Sequence, residues 1–218
     1  MSNKQLIKEL IIAQKYEQLV KMAKKNHNRT LKYIQMNLFA DINEPLRWRA
    51  LEAIGRLAGE LAPQETEVYK NLIRRFLWAM NDESGNVPWS SPEGIGIIIA
   101  NQPFLFKEYT PMLFTNAFEN PMCHRGMLWS AGKIGRVKAE PVLPFINHVL
   151  QFLTNGSPDL AGYAAWAVGE MNYREALPQI KLLRDRKEKI IIYKEGNLIE
   201  QTVGLLAQEA AGKLELVS

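Results

Sequence analysis

Cysteine and histidine are scarce in this chain, which has one cysteine and three histidines in 218 residues. A lone Cys123 excludes an internal disulfide and a cluster of thiolate metal ligands. The histidines His27, His124 and His148 do not have the spacing of a zinc site, and no glycine-rich phosphate loop follows a strand. We therefore predict no metal, no cofactor and no catalytic residues.

Long hydrophobic runs are also missing. The longest ones, residues 94–100 and 190–193, fall far short of the roughly 20 apolar residues that a membrane-spanning helix needs. Residues 1–20 place charged side chains among the apolar ones, so a secretory signal is not expected either. The sequence predicts a cytoplasmic protein with no membrane partner.

The excess of basic residues is small and spread along the chain. Lysine and arginine number 27 against 23 acidic residues, for a net charge of +4. The densest basic stretches, residues 21–29 and 181–189, are typical of solvated helix faces, and the second also holds acidic residues. Because nucleic-acid binders usually concentrate their basic side chains on one face, a nucleic-acid partner is less favoured than a protein partner.

What the sequence does contain is an internal repeat. A short helical pattern recurs every 35 to 41 residues, and each copy has an apolar residue immediately before a glycine and another two residues after it. This spacing keeps one apolar face on an α-helix, and the period suits a two-helix unit. The five anchoring glycines are Gly55, Gly96, Gly132, Gly169 and Gly204.

The segments between these copies predict the partner helices. They cover residues 28–39, 63–80, 104–118, 140–153 and 173–184. Residues 1–27 are expected to form an N-terminal helical cap on the repeats at 28–213, so that the whole chain, 1–218, is one domain. Residues 190–199 are rich in β-branched side chains and contain the turn dipeptide Gly196-Asn197, which predicts a short β-hairpin inside the last repeat.

The repeat resembles a known family. Residues 164–171, followed by Pro178, resemble the HEAT-like repeat of the phycobilisome-lyase type, and residues 127–134 and 50–57 are further copies. The resemblance covers about residues 28–213. It implies an all-α, right-handed α-solenoid of the HEAT or armadillo type with about five helical hairpins, in which the glycine-bearing helices line the concave side.

One face of the glycine-bearing helices combines tryptophan with charge. Residues seven and three before each glycine, and one after it, share a helix face because they follow at i, i+4 and i+8. Tryptophan and arginine are enriched at binding hot spots, so we expect this concave stripe to bind a partner, although the tryptophans could instead only pack between repeats. The predicted site residues are Trp48, Glu52, Arg56, Trp89, Glu93, Arg125, Trp129, Lys133, Trp166 and Glu170.

Catalytic interpretations have weaker support. Cys123 and His124 are adjacent on a helix and point in different directions, so they do not form a thiolate–base pair. Glu52 and Glu93 are expected to lie a whole repeat apart, which is far for a cooperating acid–base pair. HEAT-like hydroxylases that act on deoxyhypusine carry His-Glu pairs, and this chain has no His-Glu dipeptide.

Three functions remain open from the sequence. The favoured one is a non-enzymatic module that binds a protein segment on the concave stripe. The second is a DNA-binding enzyme resembling the HEAT-like alkylpurine DNA glycosylases, with Arg56, Arg125, Lys133 and Arg136 as its basic residues. The third is an accessory subunit of a tetrapyrrole-modifying lyase, which rests on the repeat type alone.

Overall fold

Helices make up most of the computed structural model, which describes residues 2–81 and 90–216. Helices α1 (Asn3–Ile12) and α2 (Tyr16–Lys25) form the N-terminal cap, and five helical hairpins follow. Each hairpin pairs an outer helix with an inner one. The first two are α3 (His27–Gln35) with α4 (Pro45–Leu61) and α5 (Thr66–Met80) with α6 (Ser91–Asn101), and the one-turn helix α7 (Pro103–Phe106) follows them. The last three are α8 (Thr110–Glu119) with α9 (His124–Val137), α10 (Ile146–Asn155) with α11 (Pro158–Glu170), and α12 (Leu177–Leu182) with α13 (Val203–Leu216).

The predicted β-hairpin is confirmed, with different bounds. Strands β1 (Lys189–Lys194) and β2 (Asn197–Thr202) pair antiparallel, with Ile192 opposite Ile199. The turn residues are Glu195 and Gly196, both with positive φ (49° and 82°), as a two-residue type I′ turn requires. The hairpin expected near residues 190–199 thus runs slightly further, because strand pairing extends from Lys189 to Thr202, the residue before α13, and the turn begins one residue earlier than the Gly196-Asn197 dipeptide.

The outer helices are shorter than the sequence predicted. Residues 104–118 divide into α7, a 3₁₀ turn and α8, and Pro111 lies in the first turn of α8. In the same way α10 begins only after Pro144, and α12 begins one residue before Pro178. Proline lacks the N–H that a helix interior needs, so each of these prolines lies near the start of a regular helix.

The anchoring glycines mark the places where consecutive inner helices meet. A Cβ atom on Gly55 would lie 2.5 Å from Ile97 of α6, and one on Gly132 would lie 2.5 Å from the Trp166 ring of α11. On Gly169 it would lie 2.9 Å from the Ala210 Cα of α13. The glycine of each of the first four inner helices therefore lies against the next inner helix, and this close approach explains the repeated glycine. Gly204 of the last inner helix instead lies against the carbonyl oxygens of Arg184 and Arg186.

Buried apolar side chains form one continuous core from Ile7 in the cap to Leu214 in α13. The inner helices supply about half of it, and in α6 every residue from Ser91 to Ile99 is buried. Within the described ranges, no helix is both long and apolar enough to cross a bilayer.

The close approach at Gly96 yields a stability prediction. A methyl group there would lie 2.9 Å from the Ser130 Cα, which is backbone and cannot move cheaply. Overpacking of this kind costs about 1–3 kcal/mol, against a gain of about 1 kcal/mol from the better helix propensity of alanine. We expect Gly96→Ala to lower the free energy of unfolding in urea by about 1 kcal/mol or more.

Gly212, in the interior of α13, is the matched control. A Cβ atom on it would meet no atom within 4 Å. Gly212→Ala is therefore expected to raise the free energy of unfolding by up to about 1 kcal/mol. Equal effects at the two positions would contradict the conclusion that the repeated glycines are required by close helix packing.

Candidate functional site on the concave face

Three aromatic rings meet on the side of the solenoid that the inner helices line. Trp48 of α4 lies edge-on to Trp129 of α9, with ring centroids 5.4 Å apart. Its other neighbour is Tyr193 of β1, which stacks on it at 5.1 Å. We call Trp48, Trp129 and Tyr193 the aromatic cluster. Because α4 and α9 belong to repeats separated by a whole hairpin, their direct contact identifies this side as the concave one.

An ion pair bridges the same two helices. The Lys133 ammonium of α9 donates to the Glu52 carboxylate of α4 over 2.9 Å. The ammonium also lies 5.1 Å from the Trp129 ring centroid, within cation–π range. Burial first, and the Glu52 carboxylate second, raise the pKa of the neighbouring Tyr16 to about 12. The predicted stripe thus brings Trp48, Glu52, Trp129 and Lys133 together in space.

The β-hairpin crosses this face from the last repeat to the N-terminal cap. At its tip, the Arg49 guanidinium donates to the Gly196 carbonyl over 3.3 Å and to the Ile12 carbonyl over 2.8 Å. At its base, Ile190 packs against Gly162 of α11. One strand pair therefore connects the two ends of the solenoid.

The hairpin buries too much apolar side chain to be a flexible connection. Ile190, Ile192 and Tyr193 are 5%, 0% and 2% exposed. Burying three such side chains contributes roughly 5–9 kcal/mol of hydrophobic free energy, before the entropy cost of ordering the strands. We conclude that the hairpin is part of the folded core.

The expectation that the tryptophans line an open groove was wrong for two of them. Trp48 and Trp129 are 1% and 0% exposed, because Tyr193 of the hairpin stacks on Trp48 and Trp48 in turn lies against Trp129. Trp166 is 7% exposed and lies at the edge of a remaining cleft. Trp89 lies outside the described residues. The residues that fill the groove, above all Tyr193, were missed by the sequence argument.

The second predicted glutamate lies in a different, buried cluster. Glu93 is 3% exposed and its carboxylate is 3.5 Å from the Arg47 guanidinium, which also donates to the Ser90 hydroxyl over 2.5 Å. Burial lowers the pKa of Arg47, and the Glu93 charge opposes that change. Glu52 and Glu93 thus have separate cationic partners, Lys133 and Arg47, and do not form a carboxylate pair.

The remaining predicted cations fall in two environments. Arg125 lies 3.7 Å from the Asp159 carboxylate and 5.9 Å from the ring centroid of Tyr163. Arg56 is exposed on α4. Neither lines the open cleft.

An open cleft of about 720 Å³ remains on the concave side, between α9, α11, α13 and the hairpin tip. Three predicted site residues contribute to it: Lys133, Trp166 and Glu170. The lining residues supplied by the hairpin and by α13 were not predicted from the sequence. These are Tyr193, Lys194, Glu195, Glu209, Gly212 and Lys213.

The floor carboxylate of this cleft is shared by two cations. Glu170, with its side chain 7% exposed, is 3.7 Å from Arg136 of α9 and also pairs with Lys213 of α13. Lys194 of the hairpin pairs with Glu209 over 2.5 Å. The walls of the cleft are therefore connected by ion pairs, and its cationic groups are more exposed than the Glu170 carboxylate.

The histidines and the cysteine have structural surroundings. The His27 ring is hydrogen-bonded to the Tyr69 hydroxyl over 3.0 Å, and His148 stacks on Phe118 at 4.0 Å. The His124 ring bonds the Phe118 carbonyl rather than Cys123. In residues 2–81 and 90–216, no three His, Cys, Asp or Glu side chains are placed to hold a metal ion.

The fold and this concave face define an armadillo-like α-solenoid, which confirms the fold class that the sequence predicts. Among solved structures, a designed armadillo repeat protein is similar over 98% of this chain and 95% of its own, with a TM-score of 0.52. Sequence identity is 14%, so the likeness is one of fold alone. No protein-family model and no curated protein matches the chain, and the resemblance to the phycobilisome-lyase repeat type stays a prediction.

The burial of Trp129 predicts a large effect on stability. Trp129→Ala removes a fully buried ring that contacts Trp48 and Lys133. Such truncations cost about 3–5 kcal/mol, which urea denaturation would measure. The control is Trp78→Ala, because Trp78 is 70% exposed on outer helix α5. It should change stability by no more than about 0.5 kcal/mol, and similar losses for both variants would contradict the burial of Trp129.

Cys123 is predicted to be unreactive in the folded chain. It is 1% exposed, and burial first, with the Glu93 charge second, raises its pKa to about 12. Since the thiolate is the nucleophile, labelling by a thiol reagent at pH 8 should be slow in the native protein and complete after unfolding in urea. Rapid labelling of the native chain would contradict this placement.

Proposed function

We propose that this chain is a non-enzymatic protein-interaction module that binds a protein segment on its concave side, in the cleft between α9, α11, α13 and the hairpin tip. The observation that carries the proposal is the cleft itself. It is open on a face whose other part is filled by the hairpin, and Lys133, Trp166 and Glu170 of the predicted stripe line it. Extended inner surfaces of repeat solenoids are common binding surfaces.

The other predicted site residues support the cleft from neighbouring positions. Glu52 holds the Lys133 ammonium by an ion pair. Trp48, packed against Trp129, holds the hairpin whose tip forms one end of the cleft. Arg56 and Arg125 remain candidate contacts for a partner that extends beyond it. Glu93 is not one, because it is buried in its ion pair with Arg47, and a role for Trp89 stays a prediction from the sequence. A cytoplasmic location remains a prediction from the sequence.

The charges favour a protein segment over a nucleic acid. Of the predicted basic track, Arg125, Lys133 and Arg136 each have a carboxylate partner: Asp159, Glu52 and Glu170. A phosphate backbone binds through an accumulation of unpaired positive charge. The mixed charges of this cleft suit instead a polypeptide, which offers both donors and acceptors.

An unbiased selection tests the proposal. A random peptide library displayed on phage would be selected on the full chain. Amide hydrogen exchange of the chain would then be measured with and without the selected peptides. We expect selected peptides to slow exchange in α9, α11 and α13, and Gly212→Leu, which fills the cleft from an open position, to weaken their binding by about tenfold or more.

Lys181→Gln serves as the control variant, because Lys181 is half-exposed in α12 and lies outside the cleft. It should bind the selected peptides as the native chain does. Protection confined to the outer helices, or tight binding of duplex DNA with no peptide selected, would contradict the proposal.

A further inference from the structure

Gly212 is a glycine that the packing of the chain does not require. In the described residues, every other glycine would place a Cβ atom within 4 Å of a neighbouring atom, whereas Gly212 would meet none. It lies in the interior of α13, where glycine is less favourable than alanine, and it lines the cleft. A glycine in such a place leaves a helix backbone open to close approach by a bound chain.

Two cations face each other beside this glycine. Arg136 on α9 and Lys213 on α13 have side chains 68% and 48% exposed, and they share the buried Glu170 carboxylate between them. Glu209 also lies within range of the Lys213 charge but is paired with Lys194, so the three cations Arg136, Lys194 and Lys213 have two carboxylates, Glu170 and Glu209, between them. The guanidinium also presents a planar fork of N–H donors that matches a carboxylate.

We propose that the cleft recognises an acidic protein segment, with an aspartate, glutamate or terminal carboxylate bound between Arg136 and Lys213 and the peptide backbone lying against Gly212. This inference rests on the proposed function and names the chemistry of its partner. The Lys213 side chain is held in position by its ion pair with Glu170, and its stem passes over Gly169.

The rest of the cleft favours a peptide with isolated carboxylates over a continuous polyanion. Glu209 and Glu195 line the cleft on the side of α13 and the hairpin tip. They would repel a row of phosphates, but they can accept hydrogen bonds from peptide N–H groups. A segment in which acidic residues alternate with neutral ones fits both sets of charges.

Fluorescence anisotropy with defined probes tests the inference. The probes are three labelled samples: a peptide pool in which Asp and Glu alternate with neutral residues, the same pool with Lys in the acidic positions, and a duplex oligonucleotide. We expect the acidic pool to bind at least about tenfold more tightly than the basic pool, with binding that weakens as salt is raised.

Matched variants locate the binding. Arg136→Gln and Lys213→Gln should each weaken the acidic pool by about tenfold, and Gly212→Leu should do so without lowering Tm. The controls are Arg74→Gln and Lys181→Gln, which remove ion-paired cations of similar exposure, 54% and 49%, outside the cleft. They should leave binding unchanged.

The outcomes separate this inference from the proposed function. If selected peptides protect the cleft but are basic or uncharged, or if Arg136→Gln and Lys213→Gln bind the acidic pool normally, the inference is overturned and the interaction module stands. If no peptide protects the cleft, both are overturned. Tighter binding of the duplex than of the acidic pool would also overturn the inference.

Discussion

The stacking of Tyr193 on Trp48 across the concave face is the contact on which the rest of this structure depends. It joins the last repeat to the first one, with ring centroids 5.1 Å apart. A solenoid normally makes contacts only between neighbouring repeats, whereas this chain also connects its ends through the hairpin tip, where Arg49 donates to Gly196. The concave face is therefore largely an interior, and its tryptophans belong to the core.

The aromatic cluster also limits where the proposed protein segment can bind. The hairpin covers Trp48, which lies against Trp129, and leaves a cleft beside Trp166. This cleft is bounded by two elements of the last repeat, the hairpin tip and α13, and by α9 and α11. Its ion pairs, such as Lys194 with Glu209, fix the walls relative to one another, so the site is formed before a ligand arrives.

The sequence predicted the local features of this fold well. The repeated glycines located all the inner helices, because a glycine recurs where a helix packs closely against its neighbour. The β-branched residues before Gly196 located the hairpin. The position of the hairpin could not be predicted, since the contact between Tyr193 and Trp48 joins residues far apart in the chain. For that reason the tryptophan stripe was interpreted as an open groove. Gly212 and Lys213 lie outside the repeat pattern, and only the open space around them shows their place in the cleft.

Amide hydrogen exchange of the hairpin in the free chain tests the central claim most directly. If the hairpin is part of the core of the concave face, the amides of Ile190 and Ile192, which pair with β2, should exchange as slowly as those in the middle of α11, because both open only on global unfolding. Exchange of these amides at the rate of an exposed loop, while α11 stays protected, would contradict the account and make the tryptophan face an open groove.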